Sequence, residues 1–275
     1  MTTDEIFNLI KEKKSFLCVG LDTDISKIPE HLKNESDPIF TFNKAIIDAT
    51  IPYAIAYKPN LAFYESEGSK GWESLQKTME YIPKNVFTIA DAKRGDIGNT
   101  SEKYAEAFFK KMGFDAITIS PYMGRDAIEP YLKYSGKYSI ILAITSNQGA
   151  MDFQFLPTAI DNKKLYEKVL IRSSRWGTEE NMMFVVGATR PELIKEIREI
   201  IPNHFLLVPG VGVQGGSLEE ITKYGMNPKC GLIVNASRSI IYASSSKNFA
   251  ADAGSEAHRM QQQMNNMLKL HHLIE

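Results

Sequence analysis

The chain has 275 residues, 43% hydrophobic and 24% charged, with a formal net charge of -1; it suits one large folded domain or two small ones, and the balanced charge argues against nucleic-acid or polyanion binding. No apolar run approaches a membrane span, and the start, Met-Thr-Thr-Asp-Glu-Ile-Phe, lacks the basic-then-apolar order of a secretory signal. Cys18 and Cys230 both lie in apolar strand-like runs, which excludes a disulfide framework and points to a reducing, cytoplasmic compartment.

In chain order, apolar runs predict strands at Phe16–Asp22, Tyr53–Asn60, Val86–Lys93, Ala116–Pro121, Tyr138–Ser146, Met183–Thr189, Phe205–Gly212 and Gly231–Ser237. The runs between them carry helical periodicity. Thr100–Lys111 holds good helix formers, and Pro191–Ile201 starts with a proline suited to a first helical turn. Strands alternating with helices in this number predict an α/β fold, a single (β/α)8 TIM barrel using residues 1–275 as one domain. A doubly wound sheet is the rival, but the first strand ends in Val-Gly-Leu-Asp, not Gly-x-Gly-x-x-Gly. Asn147–Asn162, after the fifth strand, is the longest irregular stretch; a lid and a solvated insertion are both open readings. In the last helix, about Phe249 to Leu270, Met260, Met264 and Met267 recur at helical spacing and are expected to pack on the barrel's exterior.

Reactive side chains of such a barrel stand at the C-terminal ends of its strands. Those ends carry Asp22, Lys58, Asp91, Lys93 and Asp96, Ser120, Thr145-Ser146-Asn147, Gly187-Ala-Thr189, Gly210 to Gly216 and Asn235-Ala-Ser-Arg238. No histidine is among them, so a histidine base or histidine-ligated metal is not expected; His204 falls at the start of the seventh strand, on the opposite face. Asp91 and Lys93, two apart on a strand, should project to one side, with Asp96 just beyond on a glycine-containing loop. A surface salt-bridge cluster would look similar. Against it, these charges end a strand that reads as buried, and Lys58 ends the strand before it. The row Lys58, Asp91, Lys93, Asp96 would keep its lysines protonated. A protonated lysine held against an anionic substrate can deliver a proton to a developing carbanion, and a fixed carboxylate disfavours a neighbouring substrate carboxylate. That chemistry is decarboxylation without metal or organic cofactor. The glycine run before Ser217, with Arg238 at the neighbouring strand end, is a candidate phosphate cradle.

These residues resemble the orotidine 5′-phosphate decarboxylases, more closely the longer bacterial type, from about Phe16 to Ile240. The likeness rests on Gly-Leu-Asp22, Tyr-Lys58-Pro-Asn, Asp91-Ala-Lys93-Arg-Gly-Asp96-Ile-Gly, Thr145-Ser-Asn, Val208-Pro-Gly-Val-Gly-Val-Gln214-Gly-Gly and Asn235-Ala-Ser-Arg238. Related barrels acting on sugar phosphates share the Asp-x-Lys-x-x-Asp element but have an acidic, metal-binding residue where this chain has Lys58. The resemblance implies orotidine 5′-monophosphate as the substrate, no cofactor, and a homodimer with sites shared across its interface. It also implies roles: Lys93 as proton donor to C6 of the pyrimidine, Asp91 near the departing carboxylate, Lys58 completing the array, and Asp96 reaching the neighbouring subunit's site. Asp22 would hold a ribose hydroxyl, Thr100 would contact ribose across the interface, Ser146 would meet the pyrimidine amide edge, and Gln214, Gly215 and Arg238 would hold the phosphate. One departure is Ile144-Thr-Ser-Asn-Gln148-Gly, where the longer type often has Arg-Thr-Ser-Asn-Pro-Gly, so a proline restraint is missing. A metal-dependent sugar-phosphate lyase and a catalytically silent nucleotide-binding barrel are the competing functions.

Overall fold

The structure is a computed structural model that describes residues 1–187, 191–210 and 217–275. Eight strands form a closed barrel in sequence order: β1 (Leu17–Gly20), β2 (Ala54–Lys58), β3 (Phe87–Arg94), β4 (Ala116–Ile119), β5 (Tyr138–Ile144), β6 (Met182–Val186), β7 (Leu206–Pro209) and β8 (Leu232–Ala236). Every neighbouring pair is parallel, and β8 closes on β1 through Leu17–Val234 and Cys18–Asn235. Parallel strands packed under helices are buried on both faces, which is why each reads as an unbroken apolar run. β1, β2, β4, β6 and β8 are buried at every position.

Most strands are shorter than the apolar runs predict, while β3 keeps its full length, and after β1 side-chain hydroxyls take up backbone carbonyls at the barrel mouth. Past Gly20, the hydroxyl of Tyr64 donates to the Leu21 carbonyl at 2.9 Å and that of Tyr242 to the Asp22 carbonyl at 3.1 Å. The outer ends of the predicted sixth and seventh strands, including Thr189 and Gly212, lie outside the described residues.

The predicted helix Thr100–Lys111 begins earlier, at Gly98. It is α-helical to Ala105 and widens to a π-helix over Glu106–Lys111, where the adjacent Phe108 and Phe109 are both buried. Pro191–Ile200 and Phe249–Leu270 are helices as expected. Met260 and Met264 are buried in the latter and Met267 partly so; this helix packs on the outside of the barrel against the helix Pro38–Thr50, where Phe42 and Phe249 stack at 5.2 Å. The thiols of Cys18 and Cys230 are free and buried, and burial pushes both up to about 12. His204 precedes β7 at the end remote from the strand carboxyl termini. Its ring lies edge-on to Phe184, and burial lowers its pKa to about 4, so it is neutral near pH 7. Among the described residues, no helix is long and apolar enough to cross a membrane.

Candidate active site

At the C-terminal mouth, β2 and β3 deliver three charged side chains to one point. The Lys58 ammonium donates to Asp91 Oδ2 at 2.8 Å, and the Lys93 ammonium donates to Asp91 Oδ1 at 2.6 Å. One carboxylate thus bridges two lysines of different character: the Lys58 side chain is 4% exposed and that of Lys93 51%. Burial works against the charge of Lys58, but the carboxylates of Asp22 and Asp91 outweigh it and its pKa is raised. Burial likewise opposes the charge of Asp91, but Lys58 and Lys93 overcome it and hold the carboxyl down to about 2. Lys58 and Asp91 are therefore both ionised near pH 7.

Simple alternation along a strand does not bring Asp91 and Lys93 together. The pairing of β3 with β4 runs Ala90–Ile117, then Arg94–Ile119. Asp91, Ala92 and Lys93 therefore face the single residue Thr118, which makes a β-bulge. Lys93 takes a left-handed backbone with φ of 47°, which costs roughly 1–2 kcal/mol for a residue with a side chain. Thr118 fills the gap: its hydroxyl accepts from the Lys93 N–H at 2.9 Å and donates to Asp91 Oδ1 at 3.1 Å. β3 rejoins β4 where the Ser120 N–H donates to the Arg94 carbonyl at 2.7 Å. Arg94 itself points away, paired with Glu65 and lying over the rings of Tyr104 and Phe108.

Asp22 follows β1 and completes the cluster. Its Oδ1 is buried, lies 3.8 Å from Lys58 Nζ and has no hydrogen-bond partner among the described residues, leaving an acceptor at the mouth. The next residue joins a buried polar network: the Thr23 hydroxyl donates to Asn43 at 2.6 Å, and Asn43 donates to Tyr64 at 2.9 Å and to Thr78 at 3.0 Å. Asn43 interrupts the apolar face of the helix Pro38–Thr50, and such a lone buried amide is the signal that could have exposed this network in the sequence.

The other expected residues are spread around the mouth. Asp96 stands outside the bridged row, capping its own loop by accepting from the Ile97 N–H at 2.8 Å, and forms no ion pair among the described residues. Thr100 is exposed in the first turn of Gly98–Ala105. Ser146, after β5, is exposed and lines a cavity of about 290 Å³ with Thr145, Met151, Phe155, Val186 and Gly187. Gly187 permits this approach, since a Cβ there would meet the Ser146 nitrogen at 2.8 Å. Arg238 is exposed at the start of Arg238–Ile241, just after β8. Gln214 and Gly215 lie outside the described residues.

The stretch Asn147–Asn162 is less irregular than its composition suggests. It contains the helix Ala150–Phe153, and Gln154 folds back on Thr145, accepting from its N–H and donating to its hydroxyl, both at 2.8 Å. These bonds restrain the loop at the place where proline is absent. Among the described residues, no group of three or more His, Cys, Asp or Glu side chains is gathered to hold a metal ion.

A family model for orotidine 5′-phosphate decarboxylase / HUMPS matches residues 15–253. The chain belongs to this family. Within the orotidine 5′-phosphate decarboxylase / HUMPS family, the orotidine 5′-phosphate decarboxylase of Phocaeicola vulgatus is 60% identical over 271 residues, 98% of this chain and 99% of that one. The orotidine 5′-phosphate decarboxylase of Bacteroides fragilis is 59% identical over 272 residues, again 98% and 99%. The solved structure of Leishmania donovani OMP decarboxylase superposes with a TM-score of 0.83 at 33% identity, covering 97% of this chain and 98% of that one. The family resemblance read from the motifs, and the barrel it implied, are those of this chain.

Proposed function

We infer that the protein is a carboxy-lyase that converts orotidine 5′-monophosphate to UMP and CO2 in pyrimidine biosynthesis, with Lys93 as the proton donor. One observation carries the assignment of Lys93: its half-exposed ammonium is held 2.6 Å from the buried Asp91 carboxylate, whose other oxygen is occupied by Lys58. The substrate carboxylate enters beside Asp91, where two like charges close together favour departure of one as neutral CO2. The C–C bond breaks, its electron pair remains on C6 of the pyrimidine, and the Lys93 ammonium both stabilises that charge and protonates it. Lys93 then regains its proton from water. No electron acceptor, metal or organic cofactor enters this balance.

Binding of the non-reacting parts of the nucleotide supplies the orientation. Arg238, with Gln214 and Gly215, holds the phosphate; Asp22 offers its unpaired oxygen to a ribose hydroxyl; Ser146 meets the amide edge of the base. The segment after β5 acts as a lid, a reading supported by its exposed apolar side chains Phe153, Leu156 and Ile160. The whole chain serves as one catalytic domain that works as a homodimer in the cytoplasm. Ile97, Tyr122 and Met123, large and exposed on the loops after β3 and β4, supply apolar surface for the dimer contact. Asp96 and Thr100, on the same side, complete the site of the neighbouring copy.

The test is an ultraviolet assay with orotidine 5′-monophosphate in the presence of EDTA. Loss of the orotate chromophore by the native protein but not by Lys93→Ala, with UMP still bound by the variant, is the expected result. Turnover retained by Lys93→Ala removes lysine 93 from the chemistry, and activity that EDTA abolishes points to a metal-dependent member of the family.

A further inference from the structure

We propose that Thr118 is a positioning residue for this reaction, acting through Lys93 and Asp91; the inference rests on the assignment of those two residues made above. The proton donor sits in a bulge where the β3 backbone has lost its regular partner on β4. The Lys93 N–H has the Thr118 hydroxyl as its partner, at 2.9 Å. The same hydroxyl bonds Asp91 Oδ1 at 3.1 Å, the oxygen that also receives the Lys93 ammonium. An ionised carboxylate can only accept, so the single hydroxyl proton goes to Asp91 and an oxygen lone pair takes the Lys93 N–H. One buried side chain, 1% exposed, thus ties the backbone of the proton donor to the carboxylate that anchors its tip.

The consequence is a fixed lysine arc. Lys93 is tied at both ends, at its N–H by Thr118 and at its Nζ by Asp91. Asp91 in turn is prevented from rotating, since Oδ1 is engaged by Thr118 and Lys93 while Oδ2 is engaged by Lys58 at 2.8 Å. Proton transfer to carbon is sensitive to placement, and a shift of about 1 Å can cost on the order of 100-fold in rate. Valine has the shape of threonine but neither donor nor acceptor, so Thr118→Val removes both ties without opening a cavity. Thr118→Ser keeps them.

Steady-state decarboxylation, UMP calorimetry and thermal melting are measured on the full-length native protein, Thr118→Val, Thr118→Ser and Lys93→Ala. The expected result is a kcat for Thr118→Val lowered roughly 10- to 100-fold, UMP affinity within about threefold of native, and recovery of most of the rate in Thr118→Ser. If the valine variant does not fold, Thr118→Ala, which leaves space, is read by the same split between rate and affinity. A kcat within about twofold of native, or a loss matched in UMP affinity and not recovered by serine, overturns the positioning role. Lys93→Ala separates the two levels: if it is inactive while Thr118→Val is unimpaired, only the role of Thr118 falls; if it turns over normally, the assignment beneath it falls as well.

Discussion

Replacing Asp91 by asparagine keeps the shape of the bridge and deletes its charge. Two ammonium groups now converge on 2.8 and 2.6 Å positions around a neutral amide, and Lys58, 4% exposed, is left with Asp22 at 3.8 Å as its sole carboxylate among the described residues. Breaking a buried ion pair by removing one partner costs about 3–5 kcal/mol. The linkage argument gives a share of this independently. Asp91 has a folded pKa depressed from 3.8 to about 2, so it contributes stability that is present above the unfolded value and is lost as pH falls through the folded one. The shift corresponds to roughly 2–3 kcal/mol at pH 7, of which about 1 kcal/mol is gone by pH 3. Asparagine does not titrate, so the gap between native and Asp91→Asn protein should narrow by about 1 kcal/mol between pH 7 and pH 3. Urea unfolding followed by circular dichroism at the two pH values checks both figures. A variant within about 1 kcal/mol of native at pH 7, or a gap that widens on acidification, refutes the picture of a buried, doubly paired carboxylate.

Three further outcomes are expected. Arg238→Ala removes the proposed phosphate partner and should weaken UMP binding roughly 10- to 100-fold by calorimetry, with unchanged affinity ruling the assignment out. If the proposed homodimer shares its sites, mixing Asp96→Ala and Lys93→Ala proteins, each expected to be inactive, under subunit exchange should restore about a quarter of native activity, because half of the dimers would be mixed and each of these would have one intact site; no recovery from exchanged subunits argues against a shared site. Gly20→Ala places a Cβ 1.9 Å from Ser237 Oγ, so about 1–3 kcal/mol of stability should be lost to overpacking where β1 meets β8. Thermal melts in which Ser237→Gly fails to recover that loss would show that the clash lies elsewhere.

Closing the barrel places the ends of β1, β2 and β3 side by side, and so Asp22, Lys58 and Asp91 within one hydrogen-bonded or ion-paired cluster. The cluster survives because each charge is matched. Asp91 satisfies Lys58 and Lys93 together, and the hydroxyl of Thr118 takes the remaining approach to its Oδ1. Asp22 is the exception, with Oδ1 buried and without a hydrogen-bond partner among the described residues.

The eight strands were legible in the chain because burial on both faces demands continuous apolar residues, and that demand acts locally on every strand. Lys58 and Asp91 stood out for the same reason, as charges ending runs that water does not reach. The motifs around them were specific enough to point to the family before any contact was known. What remained hidden depends on register between segments distant in sequence. The Asp91–Lys93 pair reads as strand alternation, yet it is made by a bulge that exists only because three residues of β3 oppose Thr118 of β4. Thr118 itself looks like any β-branched strand residue. The carbonyls just past β1 are taken by hydroxyls of Tyr64 and Tyr242, one after β2 and the other after β8. The restraint on the loop after β5 comes from Gln154, nine positions from Thr145. Periodicity and composition report on what each segment buries, whereas hydrogen bonds between segments follow from how the barrel closes, and in this protein one of the second kind holds the Lys93 backbone.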